Sequence, residues 1–168
     1  QMAFEINYFA PLELSQQAID SMVGRGGGWI LNLSSATTQH PDPAPYHPKN
    51  RSYVFHQHMS PTLYGSTKAA LERTSAGMAA ELAPVNIAVN TLAPVEAVAS
   101  VGALKSGAID TGAHMEPEEA MAEAALQLCS RPQAQLSGRC VLSLALLREL
   151  GVQVRTLDGS APLADYSL

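Results

Sequence analysis

The sequence predicts an α/β fold, a parallel sheet joined by helical crossovers. Three observations carry this. Short apolar runs at Trp29–Leu33, Asn86–Leu92 and Cys140–Leu146 read as strands. Each is preceded by a segment of helical period, so helix and strand alternate three times. The length of 168 residues, 46% of them apolar, supports one domain with one sizeable core.

Residues 1–23 read as a helix with Phe4, Ile6, Phe9, Leu12, Ala18, Ile19 and Met22 mainly on one broad face. Pro11 has no N–H to donate, so the ladder should kink or break near Asn7. The run Gly24-Arg25-Gly26-Gly27-Gly28 ends this helix. The strand at Trp29 is a short apolar run, the mark of burial on both faces, and it would be an exposed edge unless another strand paired with it. Residues 36–61 change composition to His, Pro, Asn, Ser and Gln, and predict a long inserted loop. Helical pattern returns at 62–83, with many small residues among Gly65, Ser66, Ala69, Ala70, Ala76, Gly77, Ala79 and Ala80. Small side chains let another helix approach closely, so this face is a candidate oligomer contact. Pro84 stops the helix, and Pro94 ends the second strand.

Residues 95–115 have weak periodicity and predict a flap with little regular structure. Glu116-Pro117-Glu118-Glu119 predicts a helix start, with acids in the first turn, running to about Ser130. Residues 147–168 read as a tail of short turns, with one edge strand at Val152-Gln153-Val154. No internal repeat is visible.

A net charge of −5 argues against a nucleic-acid surface, which needs clustered Lys and Arg. No apolar stretch reaches the roughly 18 residues that span a bilayer, and the start at Gln1 has no signal-peptide pattern. Cys129 and Cys140 lack the spacing of a zinc pair or redox motif and read as free thiols in a reducing cytoplasm. The histidines His40, His47, His56 and His58 are irregularly spaced and read as part of a substrate-covering loop, with no metal site. Tyr46, Tyr53 and Phe55 either line a pocket or pin that loop. Asn50-Arg51-Ser52 matches a glycosylation acceptor by chance. A Ser–His–Asp hydrolase assembled from Ser35, a loop histidine and Asp42 lacks the Gly-x-Ser-x-Gly elbow.

The sharpest chemical signal is Tyr64-Gly65-Ser66-Thr67-Lys68. Residues four apart share a helical face. A phenol titrates near 10 in water and is a weak proton donor or acceptor at neutral pH. A nearby ammonium favours the phenolate and suits the tyrosine to exchange a proton with a carbonyl or alcohol oxygen.

Four motifs in one order resemble the short-chain dehydrogenase/reductase family. Phe4-Glu5-Ile6-Asn7 resembles the helix bearing the family's asparagine. Trp29-Ile30-Leu31-Asn32-Leu33-Ser34-Ser35 resembles its strand ending in the catalytic serine. Tyr64-Gly65-Ser66-Thr67-Lys68-Ala69-Ala70-Leu71 resembles its catalytic helix, and Asn86–Pro94 its next strand and the turn beneath the nicotinamide. The resemblance implies a doubly wound, Rossmann-like fold, of which residues 1–168 are the second half as a single partial catalytic domain. It implies an NAD(P)-dependent oxidoreductase using NAD or NADP on a small-molecule carbonyl or secondary alcohol. It makes Tyr64 the general acid/base and Lys68 its electrostatic partner and ribose holder. Ser35 is the hydrogen-bond donor to the substrate oxygen, and Asn7 holds a water that relays protons. Tyr64, Lys68, Pro94, Val95 and Val98 are then the cofactor-contacting residues. It also implies a homodimer or homotetramer formed through the helices at 1–23 and 62–83.

Three features depart from the family pattern. The glycine-rich turn after the first strand is absent, and Gly24–Gly28 follows a helix and precedes a strand, the reverse order. Val95 stands where glycine usually follows Pro94, and Ala99 where a threonine is expected. The segment between Ser35 and Tyr64 is longer than typical. The chain alone is therefore expected to lack adenosine and pyrophosphate binding. The competing class is a truncated or degenerate relative that serves as a non-enzymatic binding or oligomerisation module.

Overall fold

The computed structural model describes residues 1–40, 43–59, 61–98, 100–105, 115–164 and 166. A parallel three-stranded sheet in the order β1-β2-β5 forms from β1 (Gly28–Leu33), β2 (Ile87–Ala93) and β5 (Cys140–Leu142). The register runs from Gly28 opposite Ile87 to Leu33 opposite Leu92. Helices cover both faces, so the architecture is the doubly wound one that the alternation predicts. On one face, Ile30, Ile87 and Val89 meet Met78 and Ala79 of α4 (Thr62–Leu82) and Leu12, Ile19 and Met22 of α2 (Ala10–Gly24). On the other, Leu92 packs with Ala120, Ala124 and Leu128 of α6 (Glu118–Ser130) and Leu146 and Leu147 of α7 (Ser143–Leu150). Every residue of β2 is buried, as a central parallel strand requires.

The break expected near Asn7 is a π-helical turn, Glu5–Phe9, between α1 (Met2–Phe4) and α2. Pro11 cannot donate to the Asn7 carbonyl, and the ladder widens there instead of ending. The apolar face is narrower than expected. Phe4, Tyr8, Leu12, Ile19 and Met22 face inward or half inward, while Ile6 and Phe9 are exposed.

The first strand is not buried on both faces. Trp29, Leu31 and Leu33 alternate with buried neighbours, and Leu33 is 56% exposed. β1 lies at an edge of the sheet; on this face Leu31 packs toward the α6–α7 cluster, and the Trp29 indole donates to the Arg131 carbonyl at 2.9 Å.

The glycine run 24–28 has a structural cause. Gly26 and Gly27 have φ of 85° and 145°, and a Cβ on Gly27 would lie 2.5 Å from the Asn86 carbonyl oxygen. Asn86, itself left-handed with φ 57°, accepts from Gly28 N at 3.1 Å and donates from Nδ2 to the Gly26 carbonyl at 3.0 Å. The run thus joins α2 to β1.

Four sequence expectations need correction. Segment 36–61 is not all loop: it holds a 3-10 turn, Ala36–Thr38, and α3 (Arg51–Met59). The Asn50 side chain accepts from Tyr53 N at 2.9 Å, an N-cap at the longest proline-free stretch of the segment. Segment 95–115 is not unstructured at its ends, where β3 (Ala97–Val98) pairs in parallel with β4 (Met115–Glu116) and α5 (Val101–Lys105) intervenes. Its centre, 106–114, lies outside the described residues, as do Asp42 and Ala99. The third strand stops at Leu142, because Leu144, Leu147 and Leu150 alternate with Arg148 and Glu149 at helical spacing and Gly151 caps the helix at φ 62°. The tail therefore begins with the end of α7. No strand forms at 152–154, although Val154 is buried and its carbonyl accepts from Leu163 N at 2.9 Å.

The seam between α4 and β1 positions the site. Gly65 sits against the 3-10 turn, where a Cβ would lie 2.5 Å from the Thr37 carbonyl oxygen. Gly65→Ala gains roughly 1 kcal/mol of helix propensity, but overpacking against backbone costs about 1–3 kcal/mol. We expect Gly65→Ala to lower the urea midpoint. Gly77→Ala, whose new Cβ would meet only the Arg73 side chain at 3.4 Å, should leave it unchanged or raise it. A Gly65→Ala chain at least as stable as the parent would show that the close approach does not exist.

Candidate active site

Side chains on one face of α4 are fastened to β1 and the turn after it. Ser75 accepts from Asn32 Nδ2 at 3.0 Å. The Glu72 carboxylate accepts from Ser34 Oγ at 2.5 Å and from Thr38 Oγ1 at 3.1 Å. Lys68 Nζ donates to the Leu33 carbonyl at 2.9 Å. Tyr64 stands one turn further toward the N-terminus, on the same face. The spacing 64, 68, 72, 75 is the i, i+4, i+8, i+11 series of one helical stripe, so one helix reaches residues 32 to 38 in register.

Ser35 lies at the carboxyl end of β1, with an extended backbone at φ −151° and ψ 146°. It caps the 3-10 turn: its Oγ accepts from Thr37 N at 3.2 Å and from Thr37 Oγ1 at 3.0 Å. A hydroxyl has two lone pairs and one proton. With both lone pairs engaged, Ser35 is left as a hydrogen-bond donor. Glu72 holds both neighbours of this unit, Ser34 and Thr38, so the serine is fixed from either side.

Lys68 is half-buried, and burial pulls its ammonium below the usual lysine value. Its Nζ is 5.8 Å from the centroid of the Tyr64 ring. One of three N–H donors is spent on Leu33, which leaves two. Tyr64 is 43% exposed. No hydrogen bond joins its hydroxyl to Ser35 among the described residues. Asn7 is half-buried in the π-turn, on the helix whose Tyr8 hydroxyl meets Thr74 Oγ1 of α4 at 3.1 Å.

A cavity of about 540 Å³ opens beside Ser35. Ser35 and Thr37 form one wall, Ser52, Phe55 and His56 of α3 a second, and Pro94 to Ala97 a third. Of the catalytic and cofactor-contacting residues expected from the sequence it gathers Ser35, Pro94 and Val95, while Tyr64, Lys68, Asn7 and Val98 do not line it. Val98 is half-buried in β3. Of the three loop aromatics, Phe55 lines the cavity, and Tyr46 stacks on Tyr53 at 4.9 Å and pins the loop to α3. A second cavity of about 460 Å³ lies at the opposite end of β2, beside Ala76, Asn86 and Ser137, and is lined by no ionisable group.

Glu116 is a further correction. It is not a helix-start charge but a buried residue of β4, 2% exposed, whose carboxylate accepts from Val95 N at 2.9 Å. The helix begins two residues later with Glu118 and Glu119 in its first turn. Glu116 anchors the turn after β2, and nothing in the sequence distinguishes it from its neighbours. Glu72 was legible as the next residue on the Tyr64–Lys68 stripe. Thr37 was legible as the partner in a Ser-x-Thr turn. Among the described residues no group of three His, Cys, Asp or Glu side chains could hold a metal, and no helix is long and apolar enough to cross a membrane.

No family model matches the chain. It is 29% identical over 152 residues to the 7alpha-hydroxysteroid dehydrogenase of Escherichia coli K12, covering 82% of this chain and 51% of that protein. It is 33% identical over 102 residues to the L-xylulose reductase of Mesocricetus auratus, covering 60% of this chain and 35% of the reductase. Among solved structures, a 7alpha-hydroxysteroid dehydrogenase complexed with NADH and 7-oxo glycochenodeoxycholic acid superimposes with a TM-score of 0.64 at 29% identity, covering 83% of this chain and 51% of that one. A short-chain dehydrogenase from Mycobacterium thermoresistibile gives 0.66 at 28% identity, covering 90% and 49%. The fold, the order of the motifs and these similarities agree: the chain belongs to the short-chain dehydrogenase/reductase family and spans about half the length, or less, of the relatives it matches.

Proposed function

We propose that this protein serves hydride transfer between a nicotinamide cofactor, NAD or NADP, and a carbonyl or secondary alcohol, with Tyr64 as general acid/base. The observation that carries the reading is the α4 seam: the helix bearing Tyr64 and Lys68 is bonded to the residues on both sides of Ser35. The nicotinamide supplies or accepts the hydride. Tyr64 gives its hydroxyl proton to the carbonyl oxygen in reduction and takes one back in alcohol oxidation. Ser35, limited to donation by Thr37, hydrogen-bonds the same oxygen as charge develops on it. Lys68 places positive charge beside the Tyr64 ring, and its two remaining N–H groups suit ribose hydroxyls. Asn7 would hold a water that relays protons from Lys68, and Pro94, Val95 and Val98 would contact the nicotinamide.

This donor set fits the nicotinamide end of the cofactor. The pyrophosphate end has no counterpart among the described residues: the Gly26 carbonyl and the Gly28 N–H are bonded to Asn86, and Gly27 packs against it. On this reading, pyrophosphate binding calls for a glycine-rich turn at a helix N-terminus. The two free thiols accord with a cytoplasmic location.

In a protein with such a cofactor-binding half joined to residues 1–168, Tyr64→Phe should lower turnover by about 10²–10⁴-fold. The nicotinamide affinity, read by fluorescence titration, should change less than about threefold, since the ring is retained. Equal turnover would remove Tyr64 from the mechanism. Absence of nicotinamide binding would instead favour a binding or oligomerisation module.

Self-association through α1, α2 and α4 into a homodimer or homotetramer is part of the same proposal. Met2, Ile6, Phe9 and Leu14 on the first helices and Leu63 on α4 are exposed apolar side chains. Ile6→Glu should reduce the mass measured by light scattering to that of the monomer without altering the circular dichroism spectrum. An unchanged mass would place the contact elsewhere.

A further inference from the structure

We propose that the cavity beside Ser35 selects ketones carrying a hydroxyl remote from the carbonyl, and that His56 receives this hydroxyl; the substrate side of the inference rests on the oxidoreductase reading above. His56 lies on α3, in the segment between Ser35 and Tyr64, and it lines the same cavity as Ser35. Its Nδ1 is 2.9 Å from the Ser52 carbonyl oxygen. A carbonyl only accepts, so Nδ1 carries the hydrogen, and the neutral ring keeps its lone pair on Nε2. Nε2 has no hydrogen-bond partner among the described residues. The ring is also held edge-on by Phe55, with centroids 5.5 Å apart at 88°.

The cavity thus offers opposite hydrogen-bonding characters at two of its walls. Ser35 presents a donor, suited to a carbonyl oxygen. His56 presents an acceptor, suited to a hydroxyl. The rest of the lining includes Gln39, Ser52 and Glu96 but is mainly apolar, with Phe55, Pro94, Val95 and Ala97, which suits a hydrocarbon body. The volume of about 540 Å³ exceeds the needs of a three- or four-carbon ketone. A ketone without the hydroxyl would cover Nε2 and leave it dry and unpaired, and a site built for a hydrogen bond discriminates by that penalty.

The test uses this chain, without cofactor, and the matched probes 4-hydroxycyclohexanone and cyclohexanone. Saturation-transfer NMR gives the two affinities, and ring ¹⁵N spectra of labelled histidine report Nδ1 and Nε2 of His56 separately. The hydroxyketone should bind about five- to tenfold more tightly, the worth of one neutral hydrogen bond. It alone should move the His56 Nε2 resonance. His56→Phe keeps a flat ring but removes the acceptor, and should bring the two affinities within about twofold of each other. Circular dichroism would establish that the variant folds, and the ¹⁵N shifts of the unaltered chain stand independently of it. Equal affinities in the unaltered chain, an unmoved Nε2, or no saturation transfer from either probe would each overturn the proposal. Turnover plays no part in these measurements. A chain that binds the hydroxyketone at His56 but never transfers hydride keeps this inference and loses the oxidoreductase reading. An enzyme that reduces both ketones alike, with Nε2 unmoved, does the reverse.

Discussion

The site depends on one seam, the line of hydrogen bonds that holds α4 against β1. Asn32–Ser75, Ser34–Glu72, Leu33–Lys68 and the close approach of Gly65 to Thr37 follow one another along a single helical stripe. A buried polar group left unpaired costs about 1–3 kcal/mol, so a one-residue slip of the helix would cost several such terms at once. Apolar packing of Met78 and Ala79 on Ile30 and Val89 supplies attraction without direction. The polar stripe supplies the register, and with it the position of Tyr64 relative to Ser35.

Within that frame the role of Ser35 follows from counting lone pairs. Thr37 donates twice to one oxygen, and Glu72 draws in the hydroxyls of Ser34 and Thr38. A serine free to rotate would alternate between donating and accepting. This one retains a single proton to give. The polar chain thus turns a common residue into a directional group before any ligand arrives.

The strands, the crossover helices and the stripe through Tyr64 and Lys68 were legible because period and spacing are local properties of sequence. Pro11 likewise announced the irregular turn at Asn7, through the N–H it lacks. The failures share a cause. The turn of the chain at Ser143 depends on leucines with both strand-like and helix-like partners, and the choice is made by packing of Leu146 and Leu147 against α6. α3 was hidden among prolines and histidines whose composition suggests loop, although Asn50 marks its start. Glu116 sits in an acidic run that reads as a helix start, and only tertiary contact with Val95 separates it from Glu118 and Glu119.

That contact shapes what the turn after β2 can offer. Pro94 has no N–H, the Val95 N–H is spent on Glu116, and the Val98 carbonyl accepts from Ser100 N at 2.7 Å. These backbone groups are therefore engaged within the protein. On the oxidoreductase reading, Pro94, Val95 and Val98 meet a nicotinamide ring chiefly through surface and shape. Directional recognition then falls to the seam on one side, through Ser35, Tyr64 and Lys68, and to α3 on the other. The segment between Ser35 and Tyr64 thus supplies, through Ser52, Phe55 and His56, a part of the cavity lining that the sheet and its crossover helices do not provide.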